Sequence, residues 1–302
     1  MLNVNASPLV SIIMSTYNRA AFILETIESI RNQTFENWEL IIVDDGSDDN
    51  TEEIICQLKD ERIQFIKAGR TESKGKLINT GIQKASGGLY AFIDSDDIWA
   101  PEKIEKQVRA LQQYAEAEFC LTGGFNFYTA YEPEEYFYKK REGIKVGNIF
   151  TDYFRSELAG FTQALMLRKD CMAVIGLFEE KKSFGDLDFI LSLAYHFTAI
   201  ILYEPLFYRR LHKNSYINTT WEKSYFESIE IINSYRNKKM VEPKLARQSL
   251  YNLYINFGED CLTHKKRKKA ITQFFKAWKN KPLSIVPFKK SGKALLYHVK
   301  NK

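Results

Sequence analysis

The sequence predicts an α/β fold: a mostly parallel central sheet flanked by helices, followed by a helical C-terminal extension. Three observations predict it. Short β-rich apolar runs alternate with stretches of helical spacing through the first hundred residues, in the order β-α-β-α-β-α-β with short connections. The apolar runs are nearly continuous, as in strands covered on both faces. Polar clusters follow several of them, and in such sheets ligands gather outside the carboxyl ends of the strands, near a switch in strand order.

The first strand, Leu9-Val10-Ser11-Ile12-Ile13-Met14, ends in Ser15-Thr16-Tyr17-Asn18-Arg19. Phe22, Ile23, Ile27 and Ile30 then recur at helical spacing within 21–33. Asn37-Trp38-Glu39-Leu40-Ile41-Ile42-Val43 predicts a second strand, running into Asp44-Asp45-Gly46-Ser47-Asp48-Asp49, and a helix follows through about residue 58. Ile63-Gln64-Phe65-Ile66 is a third strand, and 74–85 a helix ended by Gly87-Gly88. The fourth strand, 89–93, delivers Asp94, Asp96 and Asp97 within four residues before Pro101 opens another helix. These carboxylates fit two readings. Crowded carboxylates repel unless a cation or donors compensate, and oxygen ligands suit Mg²⁺ or Mn²⁺ bridging to phosphates. Alternatively, Asp96 or Asp97 caps the helix after Pro101.

At 302 residues, 45% hydrophobic, the chain can hold one large α/β domain and a small appendage. Cys56, Cys120, Cys171 and Cys261 form no Cys-x-x-Cys pair, which points to reduced or buried thiols. No signal-peptide pattern opens the chain, and the longest mostly apolar stretch, 189–203, is too short and polar to span a bilayer. The expected location is cytoplasmic, or peripheral at the inner face of the membrane. Residues 261–302 carry 13 Lys or Arg and no Asp or Glu, whereas the other 260 carry 30 basic and 38 acidic side chains. Such a tail fits an anionic membrane surface or nucleic acid, or simply a solvated helix face. It contains no recognisable nucleic-acid-binding module, so no nucleic acid is expected as a partner. No Gly-x-Gly-x-x-Gly follows the first strand and no Gly-x-x-x-x-Gly-Lys-Ser/Thr occurs, which argues against dinucleotide and P-loop enzymes.

Five motifs in order, 10–19, Val43-Asp44-Asp45-Gly46-Ser47 with Asp49 and Thr51, Asn79-x-Gly81-Ile82, Ala85-x-Gly87 and Ile93-Asp94-Ser95-Asp96-Asp97, resemble the family 2 glycosyltransferases over about residues 8–215. The resemblance implies the GT-A fold, a nucleotide-sugar donor (usually a UDP-sugar) and a divalent cation, Mn²⁺ or Mg²⁺. It places Ser15 and Tyr17 at the nucleobase and Asp45 as the carboxylate that bonds the base. Asp94 falls near the ribose and Asp96 at the metal, with Asp94 and His212 as further metal candidates. Asp97 is expected to orient the loop or cap the helix. One departure is Leu77-Ile78-Asn79 where many relatives have Ala-Arg-Asn. Arg70, Lys74 and Lys76 lie close in sequence, and Lys76 is the candidate substitute for the missing arginine, with a solvated helix face as its other reading.

Aromatic residues between 118 and 142 (Phe125, Phe127, Tyr128, Tyr131, Tyr136, Phe137, Tyr138) suit either sugar stacking or a core. Residues 161–168 read as a strand that, by resemblance, lines the acceptor side. In Ser183-Phe184-Gly185-Asp186, Asp186 either caps the helix that follows or matches the family's general base, with Gly185 replacing the usual Glu. One base serves an inverting transfer, and no second carboxylate offers itself as a nucleophile. After a strand over 200–208, Tyr208-Arg209-Arg210-Leu211-His212 resembles the family's Tyr-Arg-x-His tail. It makes Arg210 a diphosphate candidate and His212 either a metal or diphosphate ligand or a structural residue.

From Trp221 the spacing is helical: a hairpin, similar to one tetratricopeptide pair, and a basic amphipathic end. The expected domains are 1–218 (nucleotide half 1–100, acceptor half 101–218) and 219–302. The expected activity is inverting, metal-dependent transfer to a hydroxyl of a glycan or lipid-linked acceptor, in polysaccharide or cell-envelope synthesis. Its alternatives are a sugar-phosphate nucleotidyltransferase and a nucleotide-sugar-binding scaffold without turnover.

Overall fold

The computed structural model describes residues 7–128, 133–138, 141–156, 161–181, 185–212 and 216–296. It opens with β1 (Val10–Thr16), α1 (Ile23–Arg31), β2 (Trp38–Asp44), α2 (Thr51–Gln57), β3 (Ile63–Lys67), α3 (Lys74–Lys84) and β4 (Leu89–Asp94), the expected alternation. Then come β5 (Ile98–Trp99), α4 (Lys103–Gln113), β6 (Phe119–Phe127), β7 (Glu135–Tyr136), β8 (Ile144–Gly147), α5 (Phe150–Phe154), β9 (Leu165–Arg168), α6 (Met172–Ile175), α7 (Asp186–His196) and β10 (Ala199–Arg210). Four helices follow: α8 (Tyr216–Asn237), α9 (Pro243–Thr263), α10 (Arg267–Asn280) and α11 (Val286–Leu296).

The strands form one sheet in the order β3-β2-β1-β4-β9-β6-β10-β5, with β7 on β6 and β8 on β10. β3, β2, β1 and β4 run parallel, and β9 enters antiparallel between β4 and β6. β1 therefore has β2 on one side and β4 on the other. The crevice at their carboxyl ends is the switch point where open α/β sheets bind ligands. Register puts Ser15 beside Asp94 and Thr16 beside Asp44 there.

Two residues of the motif series are architectural. The Asn79 amide donates to Phe178 O and accepts from Phe178 N, both at 2.9 Å, tying α3 to the segment before α7. At Gly81 a Cβ would come within 2.6 Å of the Ile13 side chain, so glycine lets α3 lie close on β1.

Two local expectations change. Residues 161–168 are not one strand: Thr162–Ala164 form a 3₁₀ turn, closed by Ala164 N donating to Phe161 O, before β9 begins. Neither Asp96 nor Asp97 caps α4. Glu102 stands at that position, because the two-residue β5 pairs with β10 and separates the carboxylates from the helix. Of the aromatic run, Phe125, Phe127 and Tyr138 are buried, with Phe125 stacked on Tyr208, while Tyr128 and Tyr136 are exposed; Tyr131 lies outside the described residues.

The chain forms two compact units, Met1–Phe150 with Ala159–Ser215, and Thr151–Leu158 with Tyr216–Lys302. In the second, Ser249 Oγ donates to Phe154 O at 2.7 Å, which fixes the short segment to α9. Phe257, Cys261, Ala270 and Phe274 make the core of the α9–α10 hairpin. Among the described residues no helix is long and apolar enough to cross a membrane.

Lys103, fully buried at the start of α4, carries a measurable consequence. Its Nζ donates to Gln107 Oε1 at 2.7 Å and lies 4.0 Å from the centre of the Trp99 ring, with no ion-pair partner among the described residues. Burial pushes its ammonium down to about 7, against a small opposing effect of Cys120. An unfolded lysine titrates near 10.4. Between these values the unfolded chain holds a proton that the folded chain lacks, so stability rises with pH across that window, and below it the penalty is fully present. Lys103→Met is therefore expected to stabilise the fold at neutral pH by roughly 2–4 kcal/mol and to flatten the rise between about pH 7 and 10. Denaturant midpoints at several pH values check this. Parallel slopes for both proteins would show that the lysine stays charged.

Candidate active site

The carboxyl ends of β1 and β4, the start of α3, the 3₁₀ turn, the start of α7 and the end of β10 supply one cluster of polar and charged side chains. At the end of β4, Asp94 is held on both oxygens. Lys74 Nζ, from the first residue of α3, lies 2.7 Å from Oδ1, and Gln163 Nε2 donates to Oδ2. Burial pushes the Asp94 carboxyl up; Lys74 opposes the shift, while Asp96 and Asp186 add to it. For Lys74, burial works against the charge, but the fields of Asp186 and Asp94 outweigh it and hold the ammonium well above its usual range. Lys74 is thus a firmly charged cation between two carboxylates.

Asp96 faces a different set. His212 Nε2 is 3.1 Å from Oδ2, and Arg19 Nε is 3.2 Å from the same oxygen. Burial again opposes ionisation, but the His212 hydrogen bond and the Arg19 charge prevail and hold Asp96 below the usual carboxylate range. Asp97 turns inward, 2% exposed, and accepts from Arg210 N at 3.0 Å. Its second oxygen is buried without a hydrogen-bond partner among the described residues, and burial, then Asp96 and Asp94, drive its pKa well up. Asp97 therefore anchors the end of β10 to the loop, the loop-orienting option of the two the sequence left open.

Asp186 is the first residue of α7, with Gly185 at the cap position, and its Oδ2 accepts from Thr162 Oγ1 at 2.8 Å. Ser183 and Phe184 of the same motif lie outside the described residues. Asp186 acts on both Lys74 and Asp94 through its charge, so α7 and β4 bring their carboxylates to one place.

At the end of β2 the chain turns at Gly46, φ +78°, where Asp44 Oδ2 accepts from Gly46 N and Ser47 N. Asp45, nearly buried, accepts from Thr71 N at 2.6 Å and Thr71 Oγ1 at 2.7 Å, and pairs with Arg70. The Arg70 guanidinium also lies 3.8 Å from the centre of the Tyr17 ring. Tyr17, Arg70 and Asp45 thus form one stack beside the β1–β2 crevice.

The two remaining candidates occupy other positions. Lys76 is exposed on α3, and the lysine that reaches the carboxylates is Lys74. Arg210 points its guanidinium at Asp96 O (2.9 Å) and the Glu25 carboxylate, bracing the loop from behind. Sequence reading also passed over Arg19, Thr162 and Gln163.

Among the described residues no three His, Cys, Asp or Glu side chains are arranged to hold a metal ion by themselves. Asp96 and His212 set one oxygen and one nitrogen donor 3.1 Å apart. That pair fits Mn²⁺ or Mg²⁺ only as part of a shell completed by substrate oxygens and water, as these ions commonly accept.

Comparison with known proteins gives the family and the fold. The model of Glycosyl transferase family 2 matches residues 11–173, which runs from within β1 through β9 and includes Asp44, Asp45, Asp94, Asp96 and Asp97 but not Asp186. A putative teichuronic acid biosynthesis glycosyltransferase, TuaG of Bacillus subtilis, is 38% identical over 121 residues, 39% of this chain and 48% of the relative. The Escherichia coli β-1,3-glucosyltransferase WfgD, named for UDP-Glc and α-D-GlcNAc-diphosphoundecaprenol, is 42% identical over 100 residues, 33% of this chain and 40% of the relative. The matches thus span half or less of these two proteins. An uncharacterized glycosyltransferase of Methanocaldococcus jannaschii is 30% identical over 244 residues, 77% of this chain and 81% of the relative. Among solved structures, Staphylococcus aureus TarS 1-349 with UDP-GlcNAc superposes with a TM-score of 0.65 at 16% identity, covering 90% of this chain and 81% of that one. The mannosyltransferase PcManGT of Pyrobaculum calidifontis, with GDP-Man and Mn²⁺, gives 0.63 at 16% identity, covering 97% and 81%. At these identities the two structures establish the GT-A fold alone, while the matched motif series and the long archaeal alignment establish descent: this chain belongs to glycosyltransferase family 2.

Proposed function

We propose that the protein is an inverting glycosyltransferase that moves a sugar from a nucleoside-diphosphate donor, a UDP-sugar first, to a hydroxyl of a glycan or lipid-linked acceptor. The observation that carries this reading is the gathering of Lys74, Asp96 and Asp186 around Asp94 at the β1/β4 switch point. The names of the relatives, with a UDP-sugar and a lipid diphosphate or teichuronic acid, support the substrate classes.

In this reading Ser15, Tyr17 and Asp45 hold the nucleobase. Arg70, a planar cation stacked on Tyr17 and bonded to Asp45, fills the place that a base ring and its N–H would take. Asp94 would lie at the ribose, and Asp96 with His212 would hold the cation, which when bound would neutralise charge on the departing diphosphate. Lys74 adds a second positive charge where the donor's phosphates end, serving the arginine absent at Leu77-Ile78-Asn79.

The acceptor oxygen attacks the anomeric carbon as the bond from that carbon to the diphosphate oxygen breaks. The bonding pair leaves with the diphosphate, and the acceptor's proton passes to Asp186. Thr162 points the base by its hydrogen bond. Exposed Tyr128 and Tyr136 offer faces for acceptor sugars.

Calorimetric titration with UDP, GDP and dTDP, each with and without Mn²⁺, tests the donor half. Binding of UDP strengthened by Mn²⁺ is expected. Binding of none of the three would overturn the donor reading.

A further inference from the structure

The second unit carries an apolar projection that its own core does not use. At the turn from α10 into α11 Leu283 is 97% exposed and Ile285 61%, and in the first turn of α11 Phe288 is 56% exposed. A turn that merely joined two helices would be polar, and side chains this apolar at this exposure mark a surface that is covered in use. The turn is also built rather than loose. Trp278 Nε1 donates to Pro282 O at 2.8 Å, Tyr251 Oη and Ser284 Oγ are 2.8 Å apart, and Ser284 N donates to Lys281 O at 3.0 Å. Trp278 packs against both Phe275 and Phe288, so the projection continues as one apolar strip onto the exposed Phe275.

Charge identifies what covers it. Exposed Lys279, Lys281 and Lys289 border the strip, and no Asp or Glu occurs in the sequence after Asp260. Lys266 and Lys269, at the far end of α10, are by contrast paired with Glu222. A second copy of this chain would bring lysine against lysine around the strip. An anionic lipid surface offers hydrocarbon for Leu283, Ile285 and Phe288 and negative headgroups for the lysines that flank them.

We propose that the α10–α11 turn docks the protein on anionic bilayers, with Leu283, Ile285 and Phe288 entering the interface and Lys279, Lys281 and Lys289 on the headgroups. This rests on the second unit alone, so its failure leaves the donor-site reading where it stands.

The test is sedimentation of the full chain with liposomes of equimolar phosphatidylcholine and phosphatidylglycerol, against phosphatidylcholine alone. Binding to the mixed vesicles that weakens as salt rises is expected, with little binding to the neutral ones. Leu283→Glu with Ile285→Glu should lower the partition coefficient about tenfold or more. Lys281→Gln with Lys289→Gln should lower it by about tenfold while leaving apolar contact intact. All four side chains are exposed, and unchanged thermal melting and UDP affinity would show that the variants fold. Equal vesicle binding by wild type and both variants, or no binding by wild type, would overturn the proposal. So would self-association that Leu283→Glu abolishes in a protein that ignores vesicles, because the strip would then be covered by a second copy.

Discussion

Replacing Asp186 with Asn is expected to lower the rate of sugar transfer by about 10²–10⁴-fold, the range that removal of a positioned general base produces. Nucleotide affinity should stay within about twofold of wild type, because the side chain sits at the start of α7 and has no bond to the Tyr17–Arg70–Asp45 stack. Asparagine keeps the shape and can still accept the Thr162 hydroxyl that now lies 2.8 Å from Oδ2. What it cannot do is receive the acceptor's proton. Asp188→Asn is the control: two residues on along a helix, its side chain points away from that of Asp186, and transfer should persist. The measurement is turnover at saturating donor with calorimetric affinity alongside. Wild-type turnover in the Asp186 variant would remove it as base. Loss of affinity and turnover together would make it part of the donor site.

Much of this site could be read from the chain because its parts are local. β1, β2 and β4 are covered on both faces, so each appears as an unbroken apolar run, and the residues that follow each run are the ones delivered to the switch point. The rest depends on distant partners. Arg210 looks like a diphosphate ligand in isolation, and only the fold brings Glu25 and the Asp96 carbonyl to its guanidinium. Thr162 and Gln163 read as strand residues, yet a 3₁₀ turn points them at Asp186 and Asp94. That β9 enters the sheet antiparallel has no local signal at all.

Lys74 is different, because helical phase alone could have separated it from Lys76. Lys74 shares a face with Ile78, Gly81 and Ile82, which are buried against the sheet, whereas Lys76 lies on the side of Thr80 and Gln83. The first turn of α3 thus aims Lys74 at the crevice and Lys76 at solvent.

Asp96 should fail in a way distinct from Asp186. Asp96→Ala is expected to abolish the strengthening of UDP binding by Mn²⁺, a loss of about 10–100-fold in metal-supported affinity, while the weaker metal-free binding through the base site remains. Arg19 and His212 both meet the carboxylate at the same oxygen, so its removal takes away the one anionic donor and leaves a guanidinium and an imidazole without it. A divalent ion has little reason to enter such a site. His212→Ala, which keeps the carboxylate, should weaken the metal effect without erasing it. Titrations of each variant with UDP over a range of Mn²⁺ concentrations separate these outcomes without any need for turnover. Undiminished metal dependence in Asp96→Ala would move the ion off this aspartate, and the neighbour with a carboxylate at the same crevice, Asp94, would become the group to replace next, at the cost of freeing Lys74 and Gln163 from the bonds they now make to it.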